Sequence, residues 1–109
     1  GAASMTAALY SLRSGKKVLL LERETIGGQI SKSPRVENFP SIKEISGIEF
    51  SDKMFDQIMD LGCEFELEDV TKVEKENNKF IINKSVIDMY KKVIIACIPG
   101  AMIAFLFYD

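Results

Sequence analysis

Histidine is absent from the sequence, and cysteine occurs only twice among its 109 residues. Without histidine there is no imidazole to act as a general base or as a metal ligand. Two cysteines cannot complete a four-thiolate zinc site, and Cys63 and Cys97 are too far apart in sequence to form a C-x-x-C redox pair. We therefore expect no metal site and no disulfide-stapled secreted domain, and the composition is typical of a reduced, cytoplasmic compartment.

Strong net charge is also missing, since 14 Lys and Arg residues oppose 16 Asp and Glu residues. No basic stripe is present to attract phosphates, which excludes most nucleic-acid binders. The longest apolar stretch, residues 98–108, is interrupted by Pro99-Gly100 and is shorter than the roughly 20 residues of a membrane helix. We expect neither a nucleic acid nor a membrane as partner.

The beginning of the sequence lacks both an initiator methionine and the features of a secretory signal. We expect that the chain starts inside a longer gene. An alanine-rich stretch then predicts a helix over residues 6–12, ended by Gly15. The apolar run 18–21, closed by Glu22, predicts a buried parallel strand, and together the two elements form half of a βαβ unit.

A long ordered loop is predicted over residues 31–46, which contain two prolines and no periodicity. Ser46 and Glu49 have the spacing of a capping box and predict the start of a second helix. Its apolar face recurs at intervals of three and four residues, and Gly62 is placed to end it. That face consists of Phe50, Met54, Phe55, Ile58 and Leu61.

Beyond Gly62 the pattern changes to short strands. We predict strands over 63–67, 70–76, 79–83 and 86–90, with a turn at Asn77-Asn78, and a buried strand over 93–96. The fold class is therefore α/β, with a parallel sheet and a small antiparallel β layer.

The opening residues partly match the dinucleotide-binding fingerprint G-x-G-x-x-G. Gly1 and Ser4 would occupy its second and third fixed positions, ahead of a helix whose N-terminus favours phosphate. Glu22 lies 21 positions after Gly1, close to the roughly 20-residue spacing of the acid that binds a ribose hydroxyl. The alternative for Glu22 is a solvated acid at the end of a strand.

Four motifs in this order resemble the N-terminal FAD-binding segment of bacterial thioredoxin reductases, which are class II pyridine nucleotide-disulfide oxidoreductases. The resemblance covers residues 1–96 and ends at an apolar tail, residues 97–109. It implies a single, incomplete domain of partial Rossmann-like FAD/NAD(P)-binding fold. The motifs are Ala7-Ala8-Leu9-Tyr10, the run 18–22, Ile26-Gly27-Gly28-Gln29 and Val36-Glu37-Asn38-Phe39-Pro40.

The resemblance implies a set of FAD-binding residues and no catalytic residue. The opening turn would lie against the pyrophosphate, the end of the first strand would hold the adenosine ribose, and the later motifs would approach the flavin. In that order the residues are Gly1, Ala2, Ala3 and Ser4; Glu22 and Arg23; Gly27, Gly28 and Gln29; and Asn38 near the isoalloxazine ring. Taken without the resemblance, Gly27-Gly28 is a plain turn and Asn38 a turn former.

Two departures from the family bear on this assignment. Ser4 stands where the family has glycine, and its side chain is expected to hold the helix slightly off the strand and to weaken cofactor binding. Cys97 and Ile98 follow Ala96 where the family continues Ala-Thr-Gly. Cys63 is expected to be an inert, buried thiol.

In the family, NADPH reduces FAD, the flavin reduces a C-x-x-C disulfide, and the dithiol reduces thioredoxin. This sequence contains neither a second nucleotide fingerprint nor a C-x-x-C motif. The first hypothesis is therefore an FAD-binding fragment of such a reductase, inactive alone, which would meet NADPH and a thioredoxin-like protein only in a complete enzyme. The alternative is a non-catalytic α/β binding or interaction module that has lost the cofactor; a ferredoxin electron donor and a homodimeric state also stay open.

If the family's first strand and its C-terminal return segment are both missing, the strands at 18–21 and 93–96 are expected to have exposed edges. The isolated chain would then be poorly soluble or oligomeric. The tail is interpreted either as a buried or edge strand or as the product of a truncation or frame change.

Overall fold

The computed structural model describes residues 1–23, 26–67, 69–76, 79–82, 85–87, 92–98 and 101–105. Within these residues there are two helices, a short 3-10 helix and seven strands, in agreement with the predicted α/β class. They are α1 (Ala2–Arg13), β1 (Lys17–Glu22), the 3-10 helix (Gly28–Lys32), α2 (Gly47–Asp60), β2 (Glu64–Leu67), β3 (Val73–Glu76), β4 (Lys79–Ile82), β5 (Ser85–Ile87), β6 (Lys92–Ile98) and β7 (Ala101–Phe105).

Both helices end in the same hydrogen-bonded motif. The Gly15 and Lys16 amides donate to carbonyls of the last turn of α1, and the Gly62 and Cys63 amides do so for α2. Gly15 and Gly62 have φ of 85° and 90°, a left-handed conformation that glycine adopts without steric cost. Both helix stops predicted from the sequence are therefore confirmed, while α1 begins four residues before the predicted start.

The main sheet has four strands in the order β2-β1-β6-β7. β1 pairs in parallel with β2 and with β6, and β6 pairs antiparallel with β7. Residues 18 to 22 of β1 are all buried, which explains why the sequence shows a continuous apolar run there rather than an alternating one.

The predicted exposure of the strand edges at 18–21 and 93–96 is wrong. β1 and β6 pair directly with each other, and β7, formed by the apolar tail, covers the other edge of β6. The tail is thus an edge strand over Ala101–Phe105, and the sheet edges are those of β2 and β7. Pro99-Gly100 and residues 106–109 lie outside the described residues.

Both helices contribute to one buried cluster over a single face of β1. Val18 and Leu20 point to that face, where Met5 from α1 and Ile58 from α2 meet them. Burying a side chain of this size contributes about 1.5–3 kcal/mol. The cluster therefore fixes the start of α1 and the end of β1 relative to each other, which is what positions the site described below.

The predicted second helix begins and ends as expected. The Glu49 amide donates to the Ser46 side chain at 3.1 Å, whereas the Glu49 carboxylate pairs with Lys53 at 3.6 Å. Four of the five predicted apolar side chains of this helix are buried or partly buried. Leu61 is 46% exposed, contrary to its predicted place on the apolar face, because it is the C-cap residue beyond the last helical turn.

The small β layer is an antiparallel sheet of order β3-β4-β5. β3 is shorter than predicted, since it begins at Val73 rather than at residue 70, and Val70 is buried ahead of it. β5 begins at Ser85, one residue before its predicted start. Three predicted features of this layer lie outside the described residues. They are the turn at Asn77-Asn78, the last residue of the predicted strand 79–83, which is Asn83, and residues 88–90 of the last predicted strand.

Ile58→Ala should lower the free energy of unfolding by about 2–5 kcal/mol, because Ile58 is 1% exposed in the cluster that joins both helices to β1. Ile48→Ala is the matched control on the same helix, where the side chain is 63% exposed and a change within about 0.5 kcal/mol is expected. Urea denaturation followed by circular dichroism measures both values. Equal losses would contradict the described packing of α2.

Candidate functional site

The carboxylate of Glu22 lies at the mouth of α1. Glu22 ends β1 and its side chain is 5% exposed, and the N-terminal ammonium of Gly1 donates to its Oε1 atom and forms an ion pair with it. The Ser4 hydroxyl lies 3.3 Å from the same oxygen. A buried carboxylate needs such donors, and the positive end of the helix dipole also favours a negative charge there.

Ser4 is fully buried and closes a small hydrogen-bonded ring with Gly1. Its Oγ accepts from the Gly1 nitrogen at 2.9 Å and donates to the Gly1 carbonyl oxygen at 2.7 Å. The residue at the third fingerprint position therefore contacts both the opening turn of α1 and the acid at the end of β1.

The paired glycines of the turn after β1 lie against this opening turn. A Cβ atom added at Gly28 would come within 3.2 Å of the Gly1 Cα atom, and one added at Gly1 would lie 3.5 Å from the Gly27 carbonyl oxygen. The φ angles of Gly27 and Gly28 are 94° and 57°. The structure thus brings Gly1, Gly27 and Gly28 together, and the missing side chains leave backbone atoms exposed to close approach.

Two residues that the sequence analysis did not single out hold this turn. A Cβ atom at Gly27 would lie 2.0 Å from Oγ of Ser51, whose hydroxyl is buried and donates to the Gly47 carbonyl at 2.8 Å. A Cβ atom at Gly47 would lie 1.8 Å from the Ile30 carbonyl oxygen. The first turns of α2 therefore contact the glycine turn and the 3-10 helix without an intervening side chain. No local motif reveals these contacts, because they join segments that lie far apart in the sequence.

Of the remaining predicted site residues, two begin α1 and three are exposed. Ala2 and Ala3 form the first turn of α1, so that their backbone amides lie at its free N-terminus. Arg23 is exposed directly after Glu22, and Gln29 is exposed at the second position of the 3-10 helix. Asn38 is exposed in the loop after Val36, whose backbone pairs with that of Ile45.

The cluster has the chemistry of an anion and ribose site. The free amides at the mouth of α1 suit a phosphate group, Glu22 is a hydrogen-bond acceptor for hydroxyl groups, and the glycines permit close contact with a flat ligand. Within the described part of the chain, no three His, Cys, Asp or Glu side chains lie together as a metal site would require. Neither described helix has the length and apolar character needed to cross a membrane.

Cys63 lies in the core near the start of β1, at the opposite end of that strand from Glu22. Its Sγ atom is 3.9 Å from the Val18 carbonyl oxygen and 3.3 Å from that of Glu64. Burial raises the pKa of the Cys63 thiol to about 11, against the lowering effect of a backbone hydrogen bond at Leu20, and the charge of Glu64 adds to the rise. The thiol is therefore protonated and unreactive at neutral pH, as the sequence analysis expects.

No protein-family model matches the chain. Individual proteins do match. The chain is 40% identical over 73 residues to thioredoxin reductase of Bacillus subtilis, covering 67% of this chain and 23% of that protein. It is 37% identical over 100 residues to the 34.2 kDa protein in the rubredoxin operon of Clostridium pasteurianum, covering 88% of this chain and 32% of that protein.

A solved structure matches as well. The crystal structure of Lactococcus lactis thioredoxin reductase superimposes with a TM-score of 0.72 at 38% identity, over 86% of this chain and 31% of that one. The chain is a homologue of the bacterial thioredoxin reductases. It spans about a quarter to a third of the length of the relatives that it matches.

The thioredoxin reductase likeness confirms the predicted family resemblance and the α/β, Rossmann-like class of the fold. The cofactor-binding roles of the ten predicted residues stay a prediction, as does the division at residue 96.

Gly27→Ala should destabilise the chain more than Gly15→Ala. Both glycines have positive φ, which costs about 1–2 kcal/mol for other residues, but only the Cβ atom at Gly27 would collide with Ser51. We expect about 1–3 kcal/mol of additional loss at Gly27, measured by urea denaturation. Equal losses at the two positions would show that Ser51 does not restrict the turn.

The protonated Cys63 thiol should make stability depend on alkaline pH. Because folding raises its pKa from 9.0 to about 11, the thiol contributes stability that is complete below pH 9 and is lost as the pH rises toward 11. In a Cys97→Ser background we expect a loss of up to about 2 kcal/mol across this window, measured by urea denaturation. Adding Cys63→Ala provides the control, and the same pH dependence in both proteins would contradict the assignment.

Proposed function

We propose that the chain is the FAD-binding part of a thioredoxin-reductase-like flavoprotein oxidoreductase, and that it binds FAD without catalysing disulfide reduction alone. The observation that carries the proposal is the buried Glu22 carboxylate at the mouth of α1, next to three glycines from two segments. The homology to thioredoxin reductases supports the same cofactor class.

The residues present fit a dinucleotide. The Ala2 and Ala3 amides would face the pyrophosphate, and the Glu22 carboxylate would accept hydrogen bonds from the adenosine ribose hydroxyls. Gly27 and Gly28 would let the cofactor approach the backbone, with Arg23 beside the adenosine end and Gln29 and Asn38 toward the flavin. When bound, FAD supplies the electron-transfer chemistry, and the protein positions it.

The electron donor and acceptor are part of the same proposal. The similar proteins are named as reductases of thioredoxin. We propose that NADPH, or ferredoxin as an alternative donor, and a thioredoxin-like protein act through parts of a complete enzyme that this sequence does not contain. A reduced, cytoplasmic location is consistent with this chemistry.

The alternative is an α/β binding module that has lost the cofactor. One observation favours it: Oε1 of Glu22 already accepts hydrogen bonds from Gly1 and Ser4 within the chain. The two functions differ in one measurable property, which is the affinity of the folded chain for FAD.

FAD binding to the 109-residue chain, measured by isothermal titration calorimetry, tests the proposal. We expect binding of FAD that Glu22→Gln weakens about tenfold to a hundredfold, since hydrogen bonds to a charged acceptor contribute about 1.5–3 kcal/mol. Glu49→Gln is the matched control, because Glu49 also lies at the N-terminal end of a helix, in the first turn of α2, but is exposed and pairs with Lys53. A folded wild-type chain that binds no FAD would favour the module without cofactor.

A further inference from the structure

The hydroxyl of Ser4 makes the second of the two contacts to Glu22. The hydrogen bonds of the Glu22 carboxylate among the described residues both end on Oε1, from the Gly1 nitrogen and from Ser4. No side-chain oxygen or nitrogen of the described residues is both fully buried and without a hydrogen-bond partner, so the other carboxylate oxygen, Oε2, is not sealed off from solvent. One oxygen of Glu22 is thus held by the opening turn of α1, whereas the other takes part in neither of these hydrogen bonds.

We propose that Ser4 is a positioning residue for the nucleotide: its hydroxyl holds Oε1 of Glu22 at the mouth of α1 and leaves Oε2 as the acceptor for ribose hydroxyls. This inference rests on the proposed FAD-binding function. It reverses the expectation from the sequence, in which Ser4 weakens binding by holding the helix off the strand.

The burial of Ser4 supports this role. The side chain is 0% exposed and is enclosed between α1 and the end of β1, so the hydroxyl has few alternative partners. It donates its single hydrogen toward the Gly1 carbonyl at 2.7 Å and Glu22 at 3.3 Å, and it accepts from the Gly1 nitrogen at 2.9 Å. The ring therefore fixes the Gly1 nitrogen, which is itself the other donor to Glu22.

Fixing the carboxylate before the ligand arrives raises affinity because less side-chain freedom is lost on binding. A glycine at position 4 would leave Oε1 held by the Gly1 nitrogen alone. The net contribution of one such hydrogen bond corresponds to about a threefold to tenfold change in affinity.

A double-mutant cycle tests the inference, with FAD as the probe and isothermal titration calorimetry as the measurement. The proteins are the wild-type chain, Ser4→Ala, Glu22→Ala and the double variant; alanine is used at position 22 because glutamine would keep an oxygen that accepts from Ser4. We expect Ser4→Ala to weaken FAD binding about threefold to tenfold in the wild-type background and to have no effect in the Glu22→Ala background. An equal loss in both backgrounds, or tighter binding of FAD by Ser4→Ala, would overturn the inference.

Ser14→Ala is the matched control. Its hydroxyl donates to the carbonyl three residues earlier at 2.8 Å, as that of Ser4 does at 2.7 Å, but at the opposite end of α1. FAD affinity should be unchanged in this variant. A loss like that of Ser4→Ala would assign the effect to helix stability and overturn the role of Glu22.

A second measurement keeps the test valid if the alanine variant is destabilised. Thermal unfolding of the same four proteins without nucleotide should give non-additive losses for Ser4 and Glu22, and Ser4→Cys, which keeps the side-chain size, should retain the fold. Additive losses would count against the contact. If the folded wild-type chain binds no FAD, the proposed function fails; if it binds FAD but the cycle shows no coupling, only the role of Ser4 fails.

Discussion

The site depends on a buried carboxylate that lies against the N-terminus of a helix. An unpaired charge in the interior is strongly destabilising, so Glu22 can end β1 in this position only while α1 offers its free donors. Moving α1 away from β1 would remove the hydrogen bonds that Glu22 accepts from Gly1 and Ser4. The two elements are therefore fixed relative to each other by polar contacts as well as by the core.

Small residues make this arrangement geometrically feasible. The opening turn of α1 consists of glycine, alanine and serine, and the glycine turn approaches it from the other side with its backbone. On the far side of that turn, the first turns of α2 are in direct contact with it, through Ser51 against Gly27 and through Gly47 against the Ile30 carbonyl. Three segments thus meet with almost no side-chain volume between them, and backbone N–H and C=O groups form much of the surface that a ligand would meet.

Local sequence patterns account for most of the elements but not for how they meet. Gly15 and Gly62 end the helices because the left-handed conformation is a local property, and Ser46 caps α2 for the same reason. The collision that requires glycine at position 27 depends on Ser51, which is distant in sequence, and so it could not be predicted. The exposure of Leu61 was missed because periodicity does not mark the helix end. The pairing of β1 with β6 was missed because expected neighbours were taken from the family rather than from the strands present.

The centre of the main sheet joins residues from opposite ends of the chain, since Lys17 pairs with Lys92 and Leu21 with Ala96. Contacts of such long range require the closure of a large loop and form late in folding. During synthesis on the ribosome, α1, β1, α2 and β2 emerge first and can assemble the Glu22 contact, while the second edge of β1 waits for β6. A nascent chain that stalls before residue 92 would therefore carry the assembled Glu22 contact on a half-built sheet, and this is the state in which a chaperone would meet it.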